Sequence, residues 1–156
     1  MTQKQLVLLA AAGSMSLLLG AWGFQALGYA PCKMCIWQRW PHGIAVGLGI
    51  LFVLLGTRAL IALGAISAAA TGAIGVYHSG IERGLWEGPS SCTGGGDGLT
   101  GLSGADLLST AGPANIVMCD EVAWSMLGLS MASWNAVFAF GICAVWILAL
   151  RKPQIK

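Results

Sequence analysis

Residues 41–77 read PHGIAVGLGILFVLLGTRALIALGAISAAATGAIGVY and contain a single charged side chain, Arg58. A membrane-crossing helix takes about 20 residues, with a range of about 17–25. The stretch therefore divides at Thr57-Arg58 into two spans, 41–57 and 59–77, with room between them only for a turn. Spans joined this closely form an antiparallel pair. Gly43, Gly47, Gly49, Gly64, Gly72 and Gly75 suit close helix approach in lipid, where packing between backbones drives association.

Two more uncharged, mostly apolar stretches flank this pair, at 5–29 and 134–150. The first has too long an apolar core for a cleaved signal peptide, and three further spans follow it. Composition agrees: apolar residues make up 56% of the chain and charged residues 9%, against about 25% charged in soluble domains. So few charges could not cover a water-facing surface, and the lipid bilayer is the natural solvent. The 156 residues suffice for one domain. The expected fold is an all-α membrane protein over residues 1–156, an antiparallel four-transmembrane-helix bundle with outward loops at 30–40 and 78–133.

The charges orient this bundle. Lys4, Arg58, Arg151, Lys152 and Lys156 lie beyond the spans on one side without any acid. Lys33, Arg39 and Arg83 lie on the other side together with Glu82, Glu87, Asp97, Asp106, Asp120 and Glu121. The positive-inside rule places the first set, and hence both termini, in the cytoplasm. The second outward segment has two characters. Residues 93–104 are rich in glycine and hold no aromatic residue, which predicts mobility. Residues 115–135 carry Trp124, Met126, Leu127, Leu129, Met131 and Trp134, a mixture suited to the headgroup level.

Four of the five cysteines, Cys32, Cys35, Cys92 and Cys119, fall on the outward side, where a bacterial-type cell is oxidising. Cys143 falls inside the fourth span and reads as a small buried hydrophobe. Cys32-Lys33-Met34-Cys35 is a C-x-x-C, whose spacing lets two sulfurs bond to each other and reopen. Pro31 precedes it and a helix follows at or near Cys35. A helix N-terminus and the Lys33 cation both favour a thiolate, the species that attacks a disulfide or a quinone carbon.

Three readings compete for these cysteines. A zinc site would want a second C-x-x-C or a histidine pair at ligand spacing, and the two histidines are isolated in sequence. No metal is expected. Two structural bridges stapling the outer loops are the second reading, and a redox pair is the third. The four outward cysteines can pair in three ways.

The residues after Cys35 favour redox chemistry. Arg39 is four positions on and His42 seven, so all three share one helix face. A guanidinium there can stabilise a thiolate and hydrogen-bond a quinone carbonyl. Trp37 and Trp40 read as interfacial anchors that could also wall a quinone pocket. His78 closes the third span at the same interface and could supply a proton or hydrogen bond to a reduced quinone; His42 is a weaker candidate for the same task.

Pro31-Cys32-Lys33-Met34-Cys35-Ile36-Trp37-Gln38-Arg39 resembles the first outward-loop signature of the DsbB disulfide-formation family. The segment from Cys119-Asp120-Glu121 to Trp134 resembles the end of that family's second loop, so the likeness covers essentially the whole chain. It implies a bacterial inner-membrane protein with its active site on the periplasmic side. Such a protein reoxidises a periplasmic DsbA-like thiol oxidase and passes electrons to ubiquinone or menaquinone.

The resemblance also implies roles for individual residues. The partner would attack a Cys92–Cys119 bridge and form a mixed disulfide with Cys92. Cys119 would exchange with the Cys32–Cys35 pair at Cys32. Cys35 would face the quinone, with Arg39 stabilising it and His78 close by. The Lys-Met between the first cysteines departs from the apolar pairs common in the family, and the cation should favour the thiolate. No nucleic-acid partner is expected. The related alternative is a vitamin K epoxide reductase-like protein, and the alternative of another class is a membrane subunit with structural bridges.

Overall fold

A computed structural model describes residues 1–89, 92 and 118–153. Four long helices dominate it: α1 (Gln3–Ala26), α2 (Lys33–Leu55), α3 (Arg58–Glu82) and α4 (Met131–Arg151). Each is long and apolar enough to cross a membrane. The chain is a multi-pass membrane protein built as a four-helix bundle. Packing runs round a ring, with α1 against α2 and α4, and α3 against α2 and α4.

Local chemistry sets the helix boundaries. Thr2 and Gln5 cap α1 reciprocally, each side chain bonding the other's backbone N–H. Gly56 ends α2 in the left-handed region at φ 66°, which permits the reversal into α3 one residue later. The Ser130 hydroxyl accepts from the Ser133 N–H at 3.2 Å to open α4. After α3 the chain folds back, and the Trp86 ring lies so close over Gly80 that a Cβ there would fall 2.0 Å from it.

The helices outrun the apolar stretches at the cysteine end. α2 begins eight residues before Pro41, and α3 continues five residues past Tyr77. Charge and polarity mark where a span should end, but backbone hydrogen bonding carries on through polar turns. Most of segment 30–40 is therefore helix rather than loop. Pro41 sits inside α2 without breaking it, although it lacks an N–H to donate. Hydroxyls from α3 tie this turn down, Thr71 donating to the Gln38 carbonyl at 2.9 Å and Ser67 to the Pro41 carbonyl at 2.8 Å.

The start of α1 and the end of α4 meet at the opposite end of the bundle. There the Gln3 amide donates to the carbonyls of Ala149 and Lys152, at 3.1 and 3.3 Å, and Arg58 donates to the Leu150 carbonyl. Beside them lies an apolar core of Leu6, Val7, Phe52, Ile61 and the fully buried Trp146. Leu54, Ile66 and Leu148 point outward and are exposed, as lipid-facing side chains are.

Within segment 115–135, residues 125–130 form a small hairpin that sequence reading did not foresee. Strand β1 (Ser125–Met126) pairs antiparallel with β2 (Leu129–Ser130) through a Leu127-Gly128 turn. Both turn residues have positive φ, the pattern of tight hairpins. Residues 115–117 of that segment, and the glycine-rich 93–104, lie outside the described residues.

Candidate functional site

The two cysteine pairs, far apart in sequence, meet where α2 begins and α3 ends. Cys32 stands immediately before α2 as its N-cap, and its Sγ accepts from the Cys35 N–H at 3.1 Å. That geometry turns both sulfurs to one side, 2.6 Å apart. This is within about half an ångström of a bonded separation, so little backbone movement separates dithiol from disulfide.

Cys92 and Cys119 form a disulfide, and both are buried. They pack in one cluster with Cys32, Met34 and Ile81, and Cys35 and Ile74 border it. The Cys119 N–H donates to the Cys92 carbonyl and the Cys92 N–H to the Pro89 carbonyl, each at 2.8 Å. All four outward cysteines thus share one buried neighbourhood, though nearly sixty positions separate Cys35 from Cys92 in sequence.

His78 reaches the same cluster from α3. Its Nε2 lies 3.5 Å from Cys32 Sγ and 3.9 Å from a Glu82 carboxylate oxygen. Glu82 accepts from the Ser130 hydroxyl at the start of α4. The Cys32 thiol is pushed above the usual thiol range, first by its hydrogen bond to Cys35 and then by burial.

Beside the cysteines a cavity of about 280 Å³ opens between α1, α2 and α4. Cys32, Cys35, Arg39, His42 and His78 line it, together with apolar side chains that include Leu17, Phe24, Trp124, Met131 and Phe138. The Trp124 ring closes on Phe24, with centroids 5.1 Å apart. Arg39 reaches across to α1, donating to Gln25 Oε1 at 2.8 Å and to the Ala21 carbonyl at 3.5 Å. Its Nε is buried with no partner among the described residues.

Trp37 is placed elsewhere: it is half exposed, outside the cavity lining, with the Lys33 ammonium 5.9 Å from its ring centroid. The structure thus gathers Cys32, Cys35, Cys92, Cys119, His78, Arg39 and His42 into one region and leaves Trp37 on the outer surface.

Sequence reading missed the polar side chains that hold the histidines. Gln38 Nε2 donates to His78 Nδ1 at 2.9 Å, and its Oε1 accepts from Asn135 Nδ2 at 2.7 Å. Asn135 Oδ1 in turn receives His42 Nε2 at 2.9 Å. A chain of His78, Gln38, Asn135 and His42 therefore crosses the bundle interior. The available signal was polarity at positions inside otherwise apolar helices, which in a membrane is expensive enough to point to function.

The histidines, isolated in sequence, are not isolated in space. The ligand atoms of Cys32, Cys35 and His78 all lie within 4.8 Å of one another, a spacing that could hold a metal ion. The cavity suits a different guest. Its walls are largely apolar and aromatic, and its polar lining includes the Arg39 guanidinium, two imidazoles, the sulfurs of Cys32 and Cys35, the amides of Gln38 and Asn135 and the carboxylates of Glu82 and Glu121. A flat ring with carbonyl groups and a greasy tail matches that division, so the donor set fits a quinone headgroup.

Comparison with known proteins agrees with this arrangement. The sequence model of the family described as "Disulfide bond formation protein DsbB" matches residues 3–149. Disulfide bond formation protein B of Xanthomonas oryzae pv. oryzae is 31% identical over 137 residues, covering 79% of this chain and 74% of that protein. The protein of the same name from Verminephrobacter eiseniae is 30% identical over 164 residues, covering 99% and 88%. The one from Aromatoleum aromaticum is 31% identical over 138 residues, covering 83% and 80%. No solved structure matches the chain.

Proposed function

This chain belongs to the DsbB family of disulfide bond formation proteins, and from that premise we propose that it is a thiol:quinone oxidoreductase. On this reading it reoxidises a DsbA-like thiol oxidase and delivers the electrons to ubiquinone or menaquinone in the membrane. The observation that carries the reading is the meeting of both cysteine pairs in one buried cluster beside an apolar cavity. Structural staples would have no need to touch each other or to border a cavity. Membership of the family also leaves the vitamin K epoxide reductase-like alternative without support.

The sequence of exchanges is the one that the family resemblance implies, and the packing of both pairs in one cluster supports it. A thiolate of the reduced partner attacks the Cys92–Cys119 bridge at Cys92, and the bond's electron pair leaves on Cys119. The Cys119 thiolate attacks Cys32 of an oxidised Cys32–Cys35 pair, and the electron pair leaves on Cys35. Thiol exchange of this kind needs a thiolate and access to a sulfur, and the shared cluster holds the two pairs in one neighbourhood for the exchange between them. The partner's second thiol resolves the mixed disulfide at Cys92. The released Cys92 thiolate then attacks Cys119 of the Cys119–Cys32 bridge, which restores Cys92–Cys119 and leaves the electron pair on Cys32, so that both electrons rest on the Cys32–Cys35 pair.

A bound quinone supplies a sink for two electrons and two protons. Within this chain, Arg39 anchors in the cavity wall and holds positive charge where Cys35 becomes anionic. Phe24 and Trp124 exclude water from that end. His78 and His42 present imidazole groups to the same region. By the distribution of charged residues, the cysteine end faces the periplasm of the bacterial inner membrane and both termini face the cytoplasm.

The test is quinone reduction by the purified protein in detergent, driven by a reduced DsbA-like dithiol. Turnover that disappears in Cys35→Ser supports the reading and puts the electron exit at the C-x-x-C. Absence of turnover with both ubiquinone and menaquinone, in protein with its Cys92–Cys119 bridge intact, sinks it.

A further inference from the structure

The amide chain through the bundle fixes where protons sit. An amide oxygen only accepts and an amide nitrogen only donates. The Gln38 Nε2 faces the Met34 carbonyl at 3.3 Å as well as His78, and only a nitrogen can face a carbonyl oxygen productively. Asn135 is oriented in the same way. Its Nδ2 faces Thr71 Oγ1 at 3.3 Å, while the Thr71 proton is committed to the Gln38 carbonyl. That hydroxyl can therefore only accept from Asn135. Turning Gln38 over would set its oxygen against the Met34 carbonyl and its nitrogen against that of Asn135, and turning Asn135 over would set oxygen against oxygen at both Gln38 and Thr71. Turning both together would still leave oxygen facing oxygen at Met34 and Thr71, and mismatched polar groups inside a bundle are costly.

With both amides oriented, the histidines have no freedom left. Gln38 donates to His78 Nδ1, so that nitrogen carries a lone pair. The single N–H of a neutral imidazole then falls on Nε2, the atom that faces Cys32 Sγ at 3.5 Å and a Glu82 carboxylate oxygen at 3.9 Å, and the ring also bonds the Cys119 backbone. A doubly protonated ring would oppose its Nδ1–H to the Gln38 N–H. We propose that Gln38, held by Asn135, is a positioning residue that keeps the proton of His78 on Nε2 and presents it to the Cys32 sulfur. His42, whose Nε2 donates to Asn135 Oδ1, is held as the same tautomer.

Two consequences follow. The first rests on the proposed redox role of Cys32. When a disulfide bond to Cys32 breaks, its electron pair stays on that sulfur, and the Nε2–H hydrogen-bonds the new thiolate. No proton leaves His78 in that step. The second concerns metals and does not depend on redox turnover. Cys32, Cys35 and His78 form a three-ligand cluster of the kind that binds Zn²⁺, but a nitrogen that carries a proton cannot ligate. Gln38 thus denies thiophilic cations their third ligand.

The chain has two histidines, so its imidazole ¹⁵N spectrum is simple, and the signals lost in His78→Asn belong to His78. In protein labelled with ¹⁵N-histidine in detergent at neutral pH, His78 should show a protonated Nε2 and a bare Nδ1. A protonated Nδ1, or comparable populations of the two tautomers, overturns the proposal in the wild type itself, whether or not the protein turns over quinone. Gln38→Leu should release the ring into a mixture of tautomers, and Asn135→Leu provides the same readout should the first variant fail to fold. An unchanged tautomer in a folded Gln38→Leu protein overturns Gln38's part. Gln38→Glu supplies an acceptor for Nδ1–H and frees Nε2. Zn²⁺ titrated into the reduced protein should then bind at least about tenfold more tightly than in wild type. Equal affinities would remove the metal-excluding role.

Discussion

At the end of the bundle where α1 starts and α4 finishes, Trp146 is wholly buried, and its ring lies 2.8 Å from where a Cβ on Gly64 would be. At the other end Met34 and Ile81 are buried beside Gln38, His42, Thr71, His78, Ser130, Ser133 and three of the outward cysteines, and each of these polar or cysteine side chains is hydrogen-bonded or disulfide-bonded. The first end is specified by shape, because glycine and alanine make room for one large ring. The second is specified by hydrogen-bond direction, since lipid offers no water to rescue an unpaired polar group. Membrane helices pack adequately without buried polar groups, so a cluster of them at one end is what the proposed chemistry calls for.

The comparison breaks most visibly if the cysteines at the polar end are merely staples. Cys119→Ser removes the bridge to Cys92 but leaves the Cys32–Cys35 pair intact. Dithiol-driven quinone reduction should fall to background, a loss of several orders of magnitude, while the helix content measured by circular dichroism stays unchanged. Retained turnover would separate the two pairs functionally, despite their contact.

The converse substitution belongs to the apolar end. Gly64→Val places a branched side chain against the Trp146 ring, and overpacking of this kind costs about 1–3 kcal/mol. Thermal unfolding in detergent should shift down accordingly, with turnover per folded molecule unchanged. A drop in turnover at full stability would show that the apolar end communicates with the site, contrary to the division drawn above.

How much of this was legible in the sequence differs between the ends. The four spans, their antiparallel order and the close approach at Gly64 follow from the spacing of charges and small residues, because lipid imposes length and satisfaction rules that leave few alternatives. The C-x-x-C and its helical neighbours Arg39 and His42 were also readable, since 3.6-residue periodicity puts them on one face. Trp37 could not be placed, because a tryptophan at an interface may face either lipid or a pocket. Gln38 and Asn135 lie on different helices and meet only through tertiary packing, so no local pattern links them. The hairpin of residues 125–130 escaped notice because its strands are two residues each, too short to show alternation.

Arg39→Lys sharpens the comparison at the cavity wall. Lysine keeps the charge but loses the fork that reaches both Gln25 and Ala21 across the helix interface. On the proposed function the apparent KM for quinone should rise by about tenfold, the equivalent of ~1.4 kcal/mol, with the dithiol step little changed. Steady-state titration of quinone against dithiol separates these two effects. An unchanged quinone KM would reduce Arg39 to a helix clamp.

The smallest effect concerns a single proton. The Cys32 thiol is held above the usual thiol range chiefly by its hydrogen bond to Cys35, with burial adding to it. Alkylation requires the thiolate, so a raised pKa means less reaction at a given pH. Removing the larger cause in Cys35→Ala should move the onset of Cys32 alkylation in reduced protein to lower pH. Burial persists in that variant, so the onset should still lie above that of an ordinary exposed thiol. Cys143 donates to the Ala65 carbonyl in the middle of α4, away from the cluster, and serves as an internal control in the same mass-spectrometric experiment. An onset that stays put would mean that burial alone protects Cys32. The polar end would then resemble the apolar one at that residue, with exclusion of water governing it instead of a directed bond.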